Sequence, residues 1–84
     1  MKILITGGAG YIGTELTRML VRREDVSEVV IYDNLSRSNH NFFIGHKFDN
    51  PDKIRFERGE LLDSRHLKKV LEGVDIVYHL AAKV

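Results

Sequence analysis

A glycine-rich stretch, Thr6-Gly7-Gly8-Ala9-Gly10-Tyr11-Ile12-Gly13, stands between an apolar run and a helical pattern, and it constrains the fold of this chain more than any other feature. Before it, Ile3-Leu4-Ile5-Thr6 is continuously apolar rather than alternating, which predicts a short strand buried on both faces. After it, Ile12, Leu16, Met19 and Leu20 recur at helical spacing, with Arg18, Arg22, Arg23 and Glu24 on the polar side and in the last turn. A strand that hides both faces needs helices above and below it. The chain therefore points toward a parallel α/β sheet.

The rest of the sequence continues the alternation. Glu28-Val29-Val30-Ile31-Tyr32-Asp33 reads as a second strand, and Ile54-Arg55-Phe56-Glu57-Arg58 as a third with one well-buried face. Asp63 or Ser64 supplies an N-cap to a second helix, which carries Leu67, Val70, Leu71 and Val74 on one stripe. Gly73 falls where a helix-terminating glycine belongs, and Asp75-Ile76-Val77-Tyr78-His79-Leu80 is a fourth strand. Residues 34 to 53 show no clear period, so that stretch is either functional or contains a short helix around positions 42 to 48. The order β-α-β-loop-β-α-β, with right-handed crossovers, predicts a doubly wound parallel sheet of strand order 3-2-1-4 with helices on both faces. Its fourth strand would be an apolar edge, a feature a finished sheet seldom leaves open. Residues 1–84 are accordingly expected to be the N-terminal part of a Rossmann-type domain, incomplete here, with any substrate domain lying outside these residues.

Composition narrows the functional classes. Of the 84 residues 43% are hydrophobic and 30% charged, enough for one modest core and too few residues for two domains. Thirteen Lys and Arg against twelve Asp and Glu leave a formal charge of +1, which argues against a dedicated nucleic-acid binder. There is no cysteine, which excludes disulfides, thiolate zinc and a Cys nucleophile. The apolar run after Met1-Lys2 is too short for a secretory signal, and no segment approaches the roughly 20 apolar residues of a membrane span. A cytoplasmic protein with no membrane partner is the expectation.

The glycines fit two templates, G-x-G-x-x-G through Gly8, Gly10 and Gly13, and G-x-x-G-x-x-G through Gly7, Gly10 and Gly13. Either places free N–H groups and the positive end of a helix dipole at a turn without side chains, where a pyrophosphate can lie. Such a turn also serves tight packing alone. Asp33, twenty residues beyond Gly13 at the end of the second strand, is the second signal. Its carboxylate can accept both hydroxyls of an adenosine ribose, whereas a 2′-phosphate would set two negative groups together. At ~4 Å that repulsion is ~1 kcal/mol in water and ~4 kcal/mol at an effective dielectric near ~20. NAD is thereby favoured over NADP by roughly ten- to a thousandfold, with Arg37 as the one nearby cation that argues the other way.

Four segments taken together, Thr6 to Gly13, Asp33-Asn34-Leu35-Ser36, Gly59-Glu60-Leu61-Leu62-Asp63 and His79-Leu80-Ala81-Ala82, resemble the extended short-chain dehydrogenase/reductase family. Within that family the chain is most similar to the NAD-dependent sugar-nucleotide epimerases and dehydratases. The resemblance implies that Gly7, Gly10, Tyr11 and Ile12 touch the pyrophosphate of NAD. It implies further that Asp33, Asn34 and Ser36 hold the adenosine ribose, with Arg37 and Ser38 close by. Glu60 and Leu61 would border the adenine, and Leu80, Ala81 and Ala82 would line the ribose on the nicotinamide side. Glu60 departs from the family's usual Asp, and its longer carboxylate must pack differently. The implied partner is a nucleotide-linked sugar, and the implied assembly of the full-length protein is a homodimer.

Other residues carry blander readings. Tyr11 serves either as a phosphate donor or as a helix-start packing residue. His40, His46, His66 and His79 share no metal-ligand spacing, so no metal is expected, and His79 reads as a sheet-end histidine rather than a base. The family's chemistry needs a Tyr with a Lys four residues later, plus a Ser or Thr. Four residues after Tyr11, Tyr32 and Tyr78 stand Glu15, Ser36 and Ala82, so no catalytic acid or base can be assigned within these residues. The parent protein is expected to be an enzyme and the 84 residues alone inactive. Two alternatives share the same cofactor fold: a non-catalytic dinucleotide sensor, and a reductase that consumes free NADPH.

Overall fold

In a computed structural model, residues 1–7, 11–34, 48–60 and 62–80 are described. Strand β1 (Lys2–Thr6) leads into helix α1 (Tyr11–Leu20), followed by β2 (Glu28–Asp33). A 3₁₀ turn over Pro51–Lys53 precedes β3 (Ile54–Arg58), and helix α2 (Ser64–Val70) connects it to β4 (Ile76–His79). The four strands form one parallel sheet in the order β3-β2-β1-β4. That is the expected 3-2-1-4 arrangement. The short helix considered around positions 42 to 48 lies outside the described residues.

The alternation of the pleat divides the core in two. Ile3 and Ile5 of β1, with Val29 and Ile31 of β2, pack against Leu16, Leu20 and Val21 in and just after α1. Leu4, Val30 and Tyr32 point the other way, onto Leu67, Val70 and Val74 in and after α2. The helices thus cover opposite faces, and each fully buried aliphatic side chain contributes roughly 1.5–3 kcal/mol of transfer free energy. Backbone pairing brings β4 alongside β1 at its start, where Lys2 N–H donates to Asp75 Oδ2 and Asp75 N–H donates to the Lys2 carbonyl, both at 2.8 Å.

Helix α1 turns inward only part of the stripe its apolar residues suggest. Leu16 and Leu20 pack on the core, but Ile12 and Met19 are 68% and 67% exposed, and Gly13, Thr14 and Thr17 are buried in their stead. Thr17 conceals its polarity by donating its hydroxyl to the Gly13 carbonyl at 2.7 Å. The C-terminal end of α1 is tied to the segment before β3. Asn50 Nδ2 and Lys53 Nζ donate to the Val21 carbonyl at 3.0 and 3.3 Å, and Lys53 Nζ reaches the Arg23 carbonyl at 3.1 Å. A cation there also complements the negative end of the helix dipole.

Asp63 caps α2, its carboxylate accepting from His66 N–H at 3.2 Å. Replacing Asp63 by alanine removes that acceptor and is expected to lower the free energy of unfolding by about 1 kcal/mol, as read from chemical denaturation. Gly73, in the turn that ends the helix, has φ of +75°, a left-handed conformation that glycine adopts without strain. The core side of β4 is thin: Ile76, Val77 and Tyr78 are all exposed. The fourth strand is an apolar edge, as the sequence predicts. Among the described residues no helix is long and apolar enough to cross a membrane.

Candidate functional site

Because all four strands run parallel, the segments that follow them emerge at one edge of the sheet. Gly7 after β1, Asp33 and Asn34 at the end of β2, Gly59 and Glu60 after β3, and Leu80 after β4 are gathered there. The register is tight. Thr6 lies beside Tyr32 and His79, and Asp33 lies beside Arg58. In an open α/β sheet this edge is where ligands bind, at the point where the strand order reverses, between β1 and β4.

Backbone bonds lock the tips together. Gly7 N–H donates to the Tyr32 carbonyl at 2.7 Å, Gly59 N–H to the Asp33 carbonyl at 3.0 Å, and Leu80 N–H to the Thr6 carbonyl at 2.9 Å. Gly7 has φ of +71°, in the left-handed region that disfavours a side chain. Its N–H is already engaged with Tyr32. What Gly7 offers a ligand is therefore an absent side chain and a sharp turn rather than a donor. Helix α1 begins four residues later with no acidic residue in its first turn, so the positive end of its dipole is uncompensated there.

Several contacts around this edge are not legible in the sequence. Thr6 Oγ1 and His79 Nδ1 lie 2.6 Å apart across β1 and β4, a side-chain bond that ties the two strands flanking the reversal point. On the other side, Tyr32 is 1% exposed and its hydroxyl donates to the Glu60 carbonyl at 2.7 Å. The Tyr32 ring meets His66 edge-on at 5.3 Å between centroids, and His66 Nε2 lies 3.2 Å from Glu57 Oε1. Glu60 and Asn34, two of the predicted site residues, meet directly: Asn34 Nδ2 donates to Glu60 Oε2 at 3.1 Å. The signal for these ties is weak in a sequence, since most of them join residues 26 or more positions apart along the chain.

Burial pushes the Tyr32 phenol above its ordinary value near 10, and the carboxylates of Asp63, Glu60 and Glu57 push it the same way. The hydroxyl thus stays a donor through neutral pH. Below its ordinary value both native and unfolded phenols are protonated, and the full stability is present. As pH rises past that value the unfolded phenol ionises first, so stability falls. Melting curves taken from about pH 9 upward past the ordinary phenol value are expected to show this decline, and Tyr32→Phe to make it shallower.

Of the predicted site residues, the structure brings Gly7, Asp33, Asn34, Glu60 and Leu80 to one edge, with Tyr11 the first residue of α1 and Ile12 exposed in its first turn. Gly10, Ser36, Leu61, Ala81 and Ala82 lie outside the described residues, as do Arg37 and Ser38.

A 3-2-1-4 parallel sheet with helices on both faces and a left-handed glycine at the first strand-to-helix turn defines the doubly wound, Rossmann-type class. More narrowly, residues 3–84 match the model of the NAD dependent epimerase/dehydratase family, and the chain belongs to that family. It is 37% identical over 83 residues to the dTDP-D-glucose 4,6-dehydratase of Dictyostelium discoideum, covering 96% of this chain and 19% of the relative. It is 36% identical over 84 residues to the UDP-glucose 4-epimerase of Lactobacillus helveticus, covering 98% of this chain and 23% of that protein. The crystal structure of dTDP-glucose 4,6-dehydratase from Bacillus anthracis, in complex with NAD, superposes with a TM-score of 0.82 at 27% identity. That match covers 99% of this chain and 27% of the other. The chain thus spans about a fifth of the length of the curated relatives it matches.

Proposed function

We propose that residues 1–84 are the N-terminal part of a dinucleotide-binding domain and hold NAD for an enzyme that epimerises or dehydrates a nucleotide-linked sugar. The observation that carries this is the meeting, at one sheet edge, of the Gly7 turn, the uncompensated start of α1 and the Asp33 tip. A helix start with free N–H groups suits the pyrophosphate, and a carboxylate at the neighbouring strand end suits a ribose bearing two hydroxyls. Gly7, Gly10, Tyr11 and Ile12 border the pyrophosphate, Gly7 by leaving room. Asp33, Asn34 and Ser36 hold the adenosine ribose, Glu60 and Leu61 the adenine, and Leu80, Ala81 and Ala82 the ribose beside the nicotinamide. NAD, when bound, supplies a hydride acceptor for transient oxidation of the sugar.

The names of the relatives, a dehydratase of dTDP-D-glucose and an epimerase of UDP-glucose, support a nucleotide-linked sugar as the substrate class. No Tyr-x-x-x-Lys occurs in these residues, so the group that moves the sugar's proton is supplied from outside them. Calorimetric titration of the full chain with NAD and with NADP tests the proposal. NAD is expected to bind, and more tightly than NADP. Failure to bind NAD, or a clear preference for NADP, refutes it.

A further inference from the structure

We propose that Tyr32 is a positioning residue for the adenosine end of the cofactor, acting through Glu60; this rests on the NAD binding proposed above. Tyr32 touches two of the segments that meet at the binding edge, the Gly7 turn and the turn after β3. Its carbonyl accepts from Gly7 N–H at 2.7 Å, which holds the glycine turn. Its hydroxyl donates to the Glu60 carbonyl at 2.7 Å, which holds the turn after β3. Its chain neighbour Asp33 accepts from Gly59 N–H at 3.0 Å, which closes the same turn from the backbone side.

The fit between ring and turn is close. A Cβ added at Gly59 would collide with the Tyr32 hydroxyl and lie 2.7 Å from Cε2, and the ring is too confined to move away cheaply. His66, itself beside Glu57, stands edge-on to the ring. The Glu60 backbone is therefore fixed relative to β2, and from that fixed point its carboxylate reaches Asn34 at 3.1 Å. A glutamate is longer than an aspartate and has one more rotatable bond. Its placement at an adenine rim depends more on where its backbone is held. Tyr32 does that holding from beneath the site without reaching the ligand.

The test is a double-mutant cycle on the full chain, read as the Kd for NAD. Tyr32→Phe keeps the ring and removes the hydroxyl alone. It is expected to weaken NAD about 3- to 10-fold, the range for one lost hydrogen bond. In a Glu60→Ala background the same substitution is expected to change the Kd less than about twofold, because the group it positions is gone. An unchanged Kd in Tyr32→Phe overturns the proposal. So does an equal loss in both backgrounds, the signature of a merely structural role. If the unmutated chain binds no NAD, the proposed function falls and Tyr32's role with it, an outcome distinct from binding that ignores Tyr32. The Phe variant keeps the buried ring, and its melting temperature beside that of the unmutated chain checks that a changed Kd is not a loss of fold.

Discussion

Replacing Asp33 with alanine is expected to erase most of the preference for NAD over NADP, with the Kd for NAD rising about 10- to 100-fold and that for NADP rising little or falling. Asp33 is the last residue of β2, and its backbone is held by Gly59 N–H while that of its neighbour Tyr32 is held by Gly7 N–H. The carboxylate sits on an anchored tip. With water partly replacing the lost acceptor, the charge-assisted hydrogen bonds to the ribose hydroxyls would together be worth roughly 1.5–3 kcal/mol, and removing the acceptor forfeits them. The same carboxylate repels a 2′-phosphate by ~1–4 kcal/mol, and alanine relieves that repulsion. The two effects act in opposite directions on the two cofactors, so their ratio is the sensitive readout. Titrating both cofactors against both proteins by calorimetry measures it. An alanine variant that kept the full NAD preference would remove Asp33 from the site.

The frame of the site is legible because the signals that build it are local. Continuous apolar runs such as Ile3-Leu4-Ile5 mark strands buried on both faces, glycines punctuate them, and handed crossovers leave few arrangements of four parallel strands. Once the strands are parallel, the residues following each are bound to meet at one edge, which is why Gly7, Asp33 and Glu60 lie together. The face of α1 was not legible by the same reasoning. Counting apolar residues selects Ile12 and Met19, which are exposed, and passes over Thr14 and Thr17, which are buried. Threonines take the inward positions there because a small side chain with an internal partner, as the Thr17 hydroxyl has in the Gly13 carbonyl, can be buried without an unmet polar group. The ties from Tyr32 to Glu60 and from Thr6 to His79 span 28 and 73 positions, and nothing in the intervening sequence marks them.

Ile5 and Ile76 are both strand isoleucines, on neighbouring strands of one sheet, yet Ile5 is fully buried and Ile76 is 36% exposed. Ile5 packs among Ile3, Leu20, Val21, Val26, Val29 and Ile31, and truncating it to alanine leaves a cavity those neighbours can only partly fill. Its cost is expected to be about 2–5 kcal/mol. If β4 kept the exposure it has within these 84 residues, Ile76→Ala would cost only about 0.5–1 kcal/mol, as substitutions away from a packed core do. Among the described residues no strand pairs with the outer side of β4, and an apolar parallel strand with such an edge is an unfavourable end to a sheet. The proposal that a longer chain continues this domain requires further structure over β4. Measured on the full chain by chemical denaturation, Ile76→Ala is therefore expected to cost about 2 kcal/mol or more, close to Ile5→Ala. A cost below about 1 kcal/mol would show β4 to be a true edge and count against a larger domain built onto it.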